Sequence, residues 1–445
     1  MSRARYRNLV DALVADIRSG KLPPGSRLPT HRELAAREGL ALVTASRVYA
    51  ELAAMGLVSG EVGRGTFVRD STVPPSHGVD QLTVATGIID MNFNNPAVGE
   101  QGELLRKALR ELSFQGDIAN LLRYQPHAGR PRERAVIADH LRARGLTVQP
   151  ERVMVVSGAQ HGLAVTVLGL LRPGDVVAVD ALTYPGFTVL AQAHHLELAP
   201  LPAGTDGADL DALESLCAAG TVRAVYTMPT MQNPLSWISS LRWRERLVDI
   251  ARRHDLLVIE DAAYAFLADD PPPPLAALLP NSTIYLSGLS KSVGTGLRFG
   301  FLSAPAELVG AIERAIRATT WNTPPVITAI ATSWLEDGTV TRLEAAKRDD
   351  ARLRNAIARK ALADHRPVGH PSSYILWLPL PAEVRSDQVV ADLLRDRIAV
   401  SSAKPFATTA HTPQALRLAL ASADVDDLDY AVRRIVEIVD DHSHR

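Results

Sequence analysis

A chain of 445 residues that is 46% hydrophobic can bury a large core and divides into two or three domains. Its formal net charge of −1 names no partner, and its single cysteine, Cys217, excludes an internal disulfide and fits a reducing cytoplasm. The opening Met-Ser-Arg-Ala-Arg has no signal-peptide apolar region, and stretches such as Gly162 to Leu171 are too short to span a bilayer, so a cytoplasmic protein without membrane segments is expected.

The charge is unevenly spread. Residues 1–70 hold eleven Lys and Arg against seven Asp and Glu, a net of +4 that leaves −5 for the remainder. A small basic module joined to a larger acidic one points to nucleic acid at one end. Within it, Leu9, Val10, Leu13, Val14 and Ile17 make the apolar stripe of a first helix. Thr30-His-Arg-Glu33 is a capping box, so a second helix starts at Thr30 and ends near Gly39. A third helix from about Val43 to Met55 turns Val48, Leu52 and Met55 inward. Leu57 to Val68 reads as a two-stranded ribbon turning at Gly63-Arg-Gly65. Three helices and a ribbon make a winged helix-turn-helix, whose third helix would enter the major groove of double-stranded DNA.

The phrases Leu22-Pro-Pro-Gly-Ser-Arg-Leu-Pro-Thr-His-Arg-Glu-Leu-Ala35, Val48-Tyr-Ala-Glu-Leu52 and Gly63-Arg-Gly-Thr-Phe67 resemble the GntR family of bacterial regulators over residues 6–68. The resemblance implies that Arg27, Arg32 and the wing near Arg64 lie at the DNA backbone, while the start of the third helix reads bases. Two positions depart: the usual capping Ser/Thr is Ala41, and the usual arginine after it is Leu42. Thr44, Ser46 and Arg47 remain as groove contacts, and the arginine best suited to read guanine bidentately is missing.

Residues 71–83 are polar and turn-forming, a linker, and Asn92-Phe-Asn-Asn-Pro96 opens the second domain. Tyr124-Gln-Pro-His-Ala-Gly129 precedes an amphipathic helix through Leu141. From residue 150 short apolar runs follow, each ending in polar groups. Val153–Val156 leads to Ser157-Gly-Ala-Gln160, Val176–Val179 to Tyr184, and Ala224–Tyr226 to Gln232-Asn-Pro234. Leu256–Ile259 is followed by Glu260-Asp261 and Tyr264, and Thr283–Leu286 by a glycine-rich lysine loop. Runs without alternation are strands buried on both faces, and open α/β sheets bind ligands at the carboxyl ends of such strands. After Trp321 the chain leaves the sheet. Helices around 326–363, strands near Tyr374–Leu378 and Leu416–Leu420, and a helix from Asp426 form a smaller domain.

The lysine loop, Ser287-Gly-Leu-Ser-Lys-Ser-Val-Gly-Thr-Gly-Leu-Arg-Phe-Gly-Phe301, organises the second domain. The chain has only six lysines, so Lys291 among small residues is not compositional background. A Schiff-base lysine needs a compact site free of a permanent ion pair. Arg298 supplies donors for a phosphate, and Gly294, Gly296 and Gly300 admit a ligand close to the backbone.

Together these motifs resemble fold type I pyridoxal-phosphate enzymes, the aspartate aminotransferase superfamily, over roughly residues 84–445. The resemblance implies a three-layer α/β domain with a smaller α+β C-terminal part, and pyridoxal 5′-phosphate bound as a Schiff base on Lys291. It implies Asp261 at the pyridine nitrogen, Asn233 and Tyr264 at the ring hydroxyl, and Tyr184 on the ring face. Ala159, Gln160, Ser290 and Arg298 would hold the phosphate, and Tyr124 would reach the phosphate of a neighbouring subunit. Arg417 matches the arginine that grips a substrate α-carboxylate. One position departs: the usual Ser/Thr three residues before the lysine is Gly288, leaving one phosphate hydrogen bond to Ser287 or to nothing.

A GntR-like winged helix ahead of an aminotransferase-like domain resembles the MocR subfamily of transcription regulators. The expected domains are 1–70 and 84–445, the latter split into a large part (about 120–325) and a small one (about 326–445). The resemblance implies a head-to-tail homodimer that binds a DNA operator and senses a small amine, an amino acid or the cofactor itself. The rival reading is an active aminotransferase with a vestigial DNA module; no metal is expected.

Overall fold

The computed structural model describes residues 9–444 apart from 11, 15, 18–20, 24, 55–56, 62–64, 69–86, 97–98 and 115–117. Arg64 and the linker 71–83 therefore lie outside the described residues.

The N-terminal module is built as its sequence pattern dictates. Backbone at residues 9–10, 12–14 and 16–17 is helical and buries Val10, Leu13 and Ile17. The capping box is formed: Thr30 accepts from the Glu33 N–H, and Glu33 Oε2 accepts from the Thr30 N–H at 2.7 Å. Helix His31–Glu38 then ends on left-handed Gly39, which suits a residue without Cβ. Helix Leu42–Ala54 packs Ala45, Val48, Tyr49 and Leu52 inward. Strands Val58–Glu61 and Gly65–Val68 pair antiparallel as the wing, and Arg27–Leu28 adds a third strand to it. Two residues are too few for a periodicity signal, so that strand is not legible in the sequence.

The large domain carries a seven-stranded sheet in the order Val153–Val156, Gly300–Ser303, Thr283–Gly288, Leu257–Asp261, Val222–Thr227, Val176–Asp180, Glu197–Leu201. Gly300–Ser303 runs antiparallel to both neighbours, while the remaining pairings are parallel. The five apolar runs expected from the sequence are all strands of this sheet. Clusters of buried side chains fill both faces, so every one of them reads as apolar without alternation.

The small domain holds a four-stranded sheet in the order Ile375–Pro379, Ala415–Ala419, Ile398–Ser402, Ile89–Met91. Helices Thr339–Ala361, Ser386–Arg395 and Val425–Ser443 accompany it. Ile89–Met91, the first described strand after the linker, pairs parallel to Ile398–Ser402 and runs straight into Asn92. The wing meets the same domain: the Arg385 guanidinium lies 4.4 Å from the Phe67 ring centroid. No described helix is long and apolar enough to cross a membrane.

Candidate functional site

The carboxyl ends of the parallel strands open onto a cavity of about 790 Å³, within the usual range for small-molecule sites. Ala159, Gln160, Tyr184, Asn233, Asp261, Tyr264, Ser290, Lys291, Arg298 and Arg417 all line it, as do Asn92 to Asn95 and Phe406. Residues up to 325 positions apart in sequence are thus brought to one place. Tyr124 is not among them. It is 83% exposed, with its ring 5.4 Å from that of Trp321, and Phe114, Ile118 and Leu122 nearby in the sequence are exposed as well.

One end of the cavity is an anion cradle. Helix Ala159–Leu170 begins there behind Gly158, whose φ of +88° favours glycine, and a Cβ there would lie 2.8 Å from Arg298 Nη2 and displace that guanidinium. The helix N-terminus, the Arg298 guanidinium and the buried Ser290 hydroxyl form a donor set for a phosphate. Gly288 now has its explanation. A Cβ there would come within 2.8 Å of the Phe299 carbonyl oxygen, so this backbone excludes the serine or threonine that the resemblance leads one to expect. Ser287 is no substitute, because its hydroxyl donates to the Ala262 carbonyl at 3.3 Å.

Asp261 lies at the cavity floor, 2% exposed, with one oxygen accepting from the Tyr226 hydroxyl and the other from the Ala263 N–H, both at 3.0 Å. Burial pushes its carboxyl up from the ordinary range, and these two hydrogen bonds oppose that shift. A cationic ring nitrogen would relieve the same cost. Sequence reasoning misses Tyr226, although a hydroxyl within a buried apolar run is a usable signal.

Lining the same cavity, Lys291 Nζ donates to the Asn94 carbonyl at 2.7 Å, and Arg417 Nη1 donates to the Asn92 carbonyl at 2.7 Å. Arg417 sits mid-strand, opposite Trp377 and Ser401, and is 5% exposed. Burial pulls its guanidinium down, while Tyr264 and Asp90 oppose. Both side chains are thereby latched to one short segment that continues the strand Ile89–Met91.

Among the described residues, five buried polar atoms around this cavity have no hydrogen-bond partner: Asn94 Nδ2, Gln160 Oε1, Asn233 Oδ1, Ser290 Oγ and Arg417 Nε. Buried polar groups are almost always satisfied. Their convergence on one cavity marks it as built for a polar ligand.

Residues 86–435 match the family described as Aminotransferase class I and II, and residues 5–68 match Bacterial regulatory proteins, gntR family. The uncharacterized HTH-type transcriptional regulator YdeF of Bacillus subtilis is 26% identical over 438 residues, covering 98% of this chain and 94% of its own. The probable rhizopine catabolism regulatory protein MocR of Rhizobium meliloti is 26% identical over 427 residues, 88% of this chain and 82% of that one. The chain belongs to the MocR subfamily. Its second domain also superposes on the crystal structure of LysN, the α-aminoadipate aminotransferase of Thermus thermophilus complexed with N-(5′-phosphopyridoxyl)-L-leucine. That match has a TM-score of 0.74 and 26% identity, and it covers 81% of this chain and 94% of the other.

One more residue of this MocR-type chain bears on the site. Lys347, on helix Thr339–Ala361, is fully buried and donates to the carbonyls of Pro96, Lys291 and Val293 at 2.9, 3.3 and 3.0 Å. It ties the lysine loop and the Asn92–Pro96 segment to the small domain. Burial brings its ammonium down to about 8; Lys291 adds to the shift, and Asp350 and Glu344 oppose it. The scarcity of lysine that singles out Lys291 applies equally to Lys347, and is the signal that could have found it.

Proposed function

We propose that this chain is a DNA-binding transcription regulator whose aminotransferase-like domain carries pyridoxal 5′-phosphate on Lys291 and senses an amine, an amino acid or the cofactor itself. The observation that carries the proposal is the double latch: Lys291 on the Asn94 carbonyl and Arg417 on the Asn92 carbonyl. Bound pyridoxal phosphate supplies an aldehyde that captures primary amines and a ring that accepts electron density. Asp261 would hold the ring nitrogen, Asn233 and Tyr264 the ring hydroxyl, and Tyr184 the ring face. Ala159, Gln160, Ser290 and Arg298 would hold the phosphate. Covalent engagement of Lys291 removes one donor from the segment, and an effector carboxylate on Arg417 removes the other. Both changes act on the backbone that leads through Ile89–Met91 toward the winged helix, giving the ligand differential contacts in two states.

The DNA contacts belong to Arg27, Arg32, Thr44, Ser46, Arg47 and Arg64, mostly at phosphates. Exposed Phe114, Ile118, Leu122 and Tyr124 support a homodimer whose second copy covers them, with Tyr124 reaching the neighbouring phosphate site head to tail. The well-filled core of the winged helix supports a working DNA module over a vestigial one beside an active aminotransferase. A cytoplasmic location goes with this reading.

The test is chemical. Purified protein is expected to be yellow, and borohydride should fix the cofactor irreversibly on Lys291, read by peptide mapping. Labelling of another lysine, or cofactor that dialyses freely from wild type, contradicts the assignment. Lys291→Ala should bind no cofactor covalently.

A further inference from the structure

The second helix of the helix-turn-helix begins with hydrocarbon open to solvent. Leu42 is 47% and Val43 80% exposed, Ala41 before them is exposed too, and the first turn of Leu42–Ala54 carries no acidic side chain. The opposite face of this helix is committed to the module's core through Ala45, Val48 and Leu52. The backbone at the start is fixed, with the Thr44 and Ala45 N–H groups both donating to the Ala41 carbonyl. Ser46 is engaged laterally, its hydroxyl 2.9 Å from His31 Nδ1. A valine is a mediocre helix former, and at this exposure it gains almost no packing within the chain. Its contribution is therefore to be sought in a partner.

The surroundings say which partner. Arg32 and Arg47 are exposed on the same two helices, the module carries a net charge of +4, and the positive end of the helix dipole faces outward here. Two such modules repel each other, whereas a polyanion is attracted. In this motif the first residues of the second helix are the ones that meet base edges. Neither Leu42 nor Val43 can donate or accept a hydrogen bond through its side chain, and the major groove displays one apolar group, the C5-methyl of thymine.

We infer that Leu42 and Val43 read thymine methyl groups in the major groove, so that the operator carries thymine at the base steps beneath the start of this helix. The inference rests on the DNA-binding reading above and adds the base that is read. Where relatives place an arginine suited to guanine, this chain places an apolar side chain suited to thymine, and its operator differs accordingly at that step.

The experiment starts from duplexes selected out of a random-sequence pool by full-length wild-type protein. Each thymine is then replaced singly by 2′-deoxyuridine, which removes the methyl and nothing else. At one or two positions per half-site, wild type is expected to lose about fourfold in affinity, the size of burying one methyl-sized group. Leu42→Ser and Val43→Ser protein should bind the thymine duplex more weakly and show no further loss on the uridine duplex. Arg32→Ala should weaken both duplexes by the same factor, as removal of a phosphate-binding side chain does. Selected duplexes with no uridine-sensitive position overturn this inference alone. So do serine variants that retain full affinity and full uridine sensitivity, or that change only the sedimentation of the free protein. If no duplex is selected at all, the DNA-binding reading fails with it.

Discussion

The cofactor-type cavity and the face of the winged helix both use arginine, yet the same side chain does different work in each. Arg417 is 5% exposed and pinned to a backbone carbonyl, and Arg298 rests against a glycine that no other residue could replace without a shift. Arg32 and Arg47 are exposed to solvent. Buried charge is costly unless a ligand or the chain compensates it, so the cavity residues fix geometry and chemistry. Exposed charge is cheap and screened by salt, so on the proposed reading the outer arginines would set affinity for DNA, while base identity would fall to neighbours such as Leu42 and Val43. One chain thus separates a rigid, desolvated recognition site from a solvated one.

That contrast breaks most visibly at Lys347. Replacing it by methionine takes the shared donor from the Pro96, Lys291 and Val293 carbonyls, of which, among the described residues, only Val293's keeps a second donor in the Gln101 amide, and a loss of about 3 kcal/mol in urea unfolding is expected. An equally large loss for Arg32→Ala would erase the distinction between buried and exposed cations.

Asp180 sharpens the comparison through pH. It is 4% exposed, and burial pushes its carboxyl up to about 7, a shift opposed by the hydrogen bond from Gln232 Nε2 at 3.2 Å. Because the folded pKa lies above the unfolded one, the native state binds the extra proton, and this residue's contribution falls as pH rises from about 4 to about 7. Asp180→Asn should therefore match wild type near pH 4 and exceed it by up to about 4 kcal/mol at pH 8, the rise to about 7 converted at ~1.4 kcal/mol per pH unit. A constant difference across that range would place the charge in solvent.

The smallest effect belongs to the outer face. Arg32→Ala should leave thermal stability unchanged and lower the slope of log affinity against log salt by about 1, the signature of one phosphate no longer neutralised. An unchanged slope removes Arg32 from the DNA surface.

The cavity was legible because its residues sit at the ends of short, unbroken apolar runs, where sequence order and spatial order coincide. The winged helix was legible from a capping box and a periodic stripe. What escaped was set by tertiary contact alone. Gly300–Ser303 begins within the lysine loop's last residues and runs antiparallel inside an otherwise parallel sheet, and Ile89–Met91 is three residues that become a strand only beside Ile398–Ser402. Asn92 and Asn94 act through backbone carbonyls, which no side-chain pattern announces. Lys347 acts from a helix whose Arg342 and Arg352 reach solvent, so its own burial is not announced by its neighbours. The open start of the recognition helix is visible in the sequence as a departure from relatives, and only its exposure gives it a meaning.

The central claim is that events at Lys291 are felt at the DNA. Operator affinity measured with and without pyridoxal phosphate and a panel of amino acids, for wild type and Lys291→Ala, tests it most directly. The account predicts that some amine shifts wild-type affinity, that Lys291→Ala still binds operator without any shift, and that turnover stays far below the ~1–10³ s⁻¹ of working enzymes. Steady transamination at such rates, with operator affinity indifferent to every amine, would contradict it and leave an aminotransferase in its place.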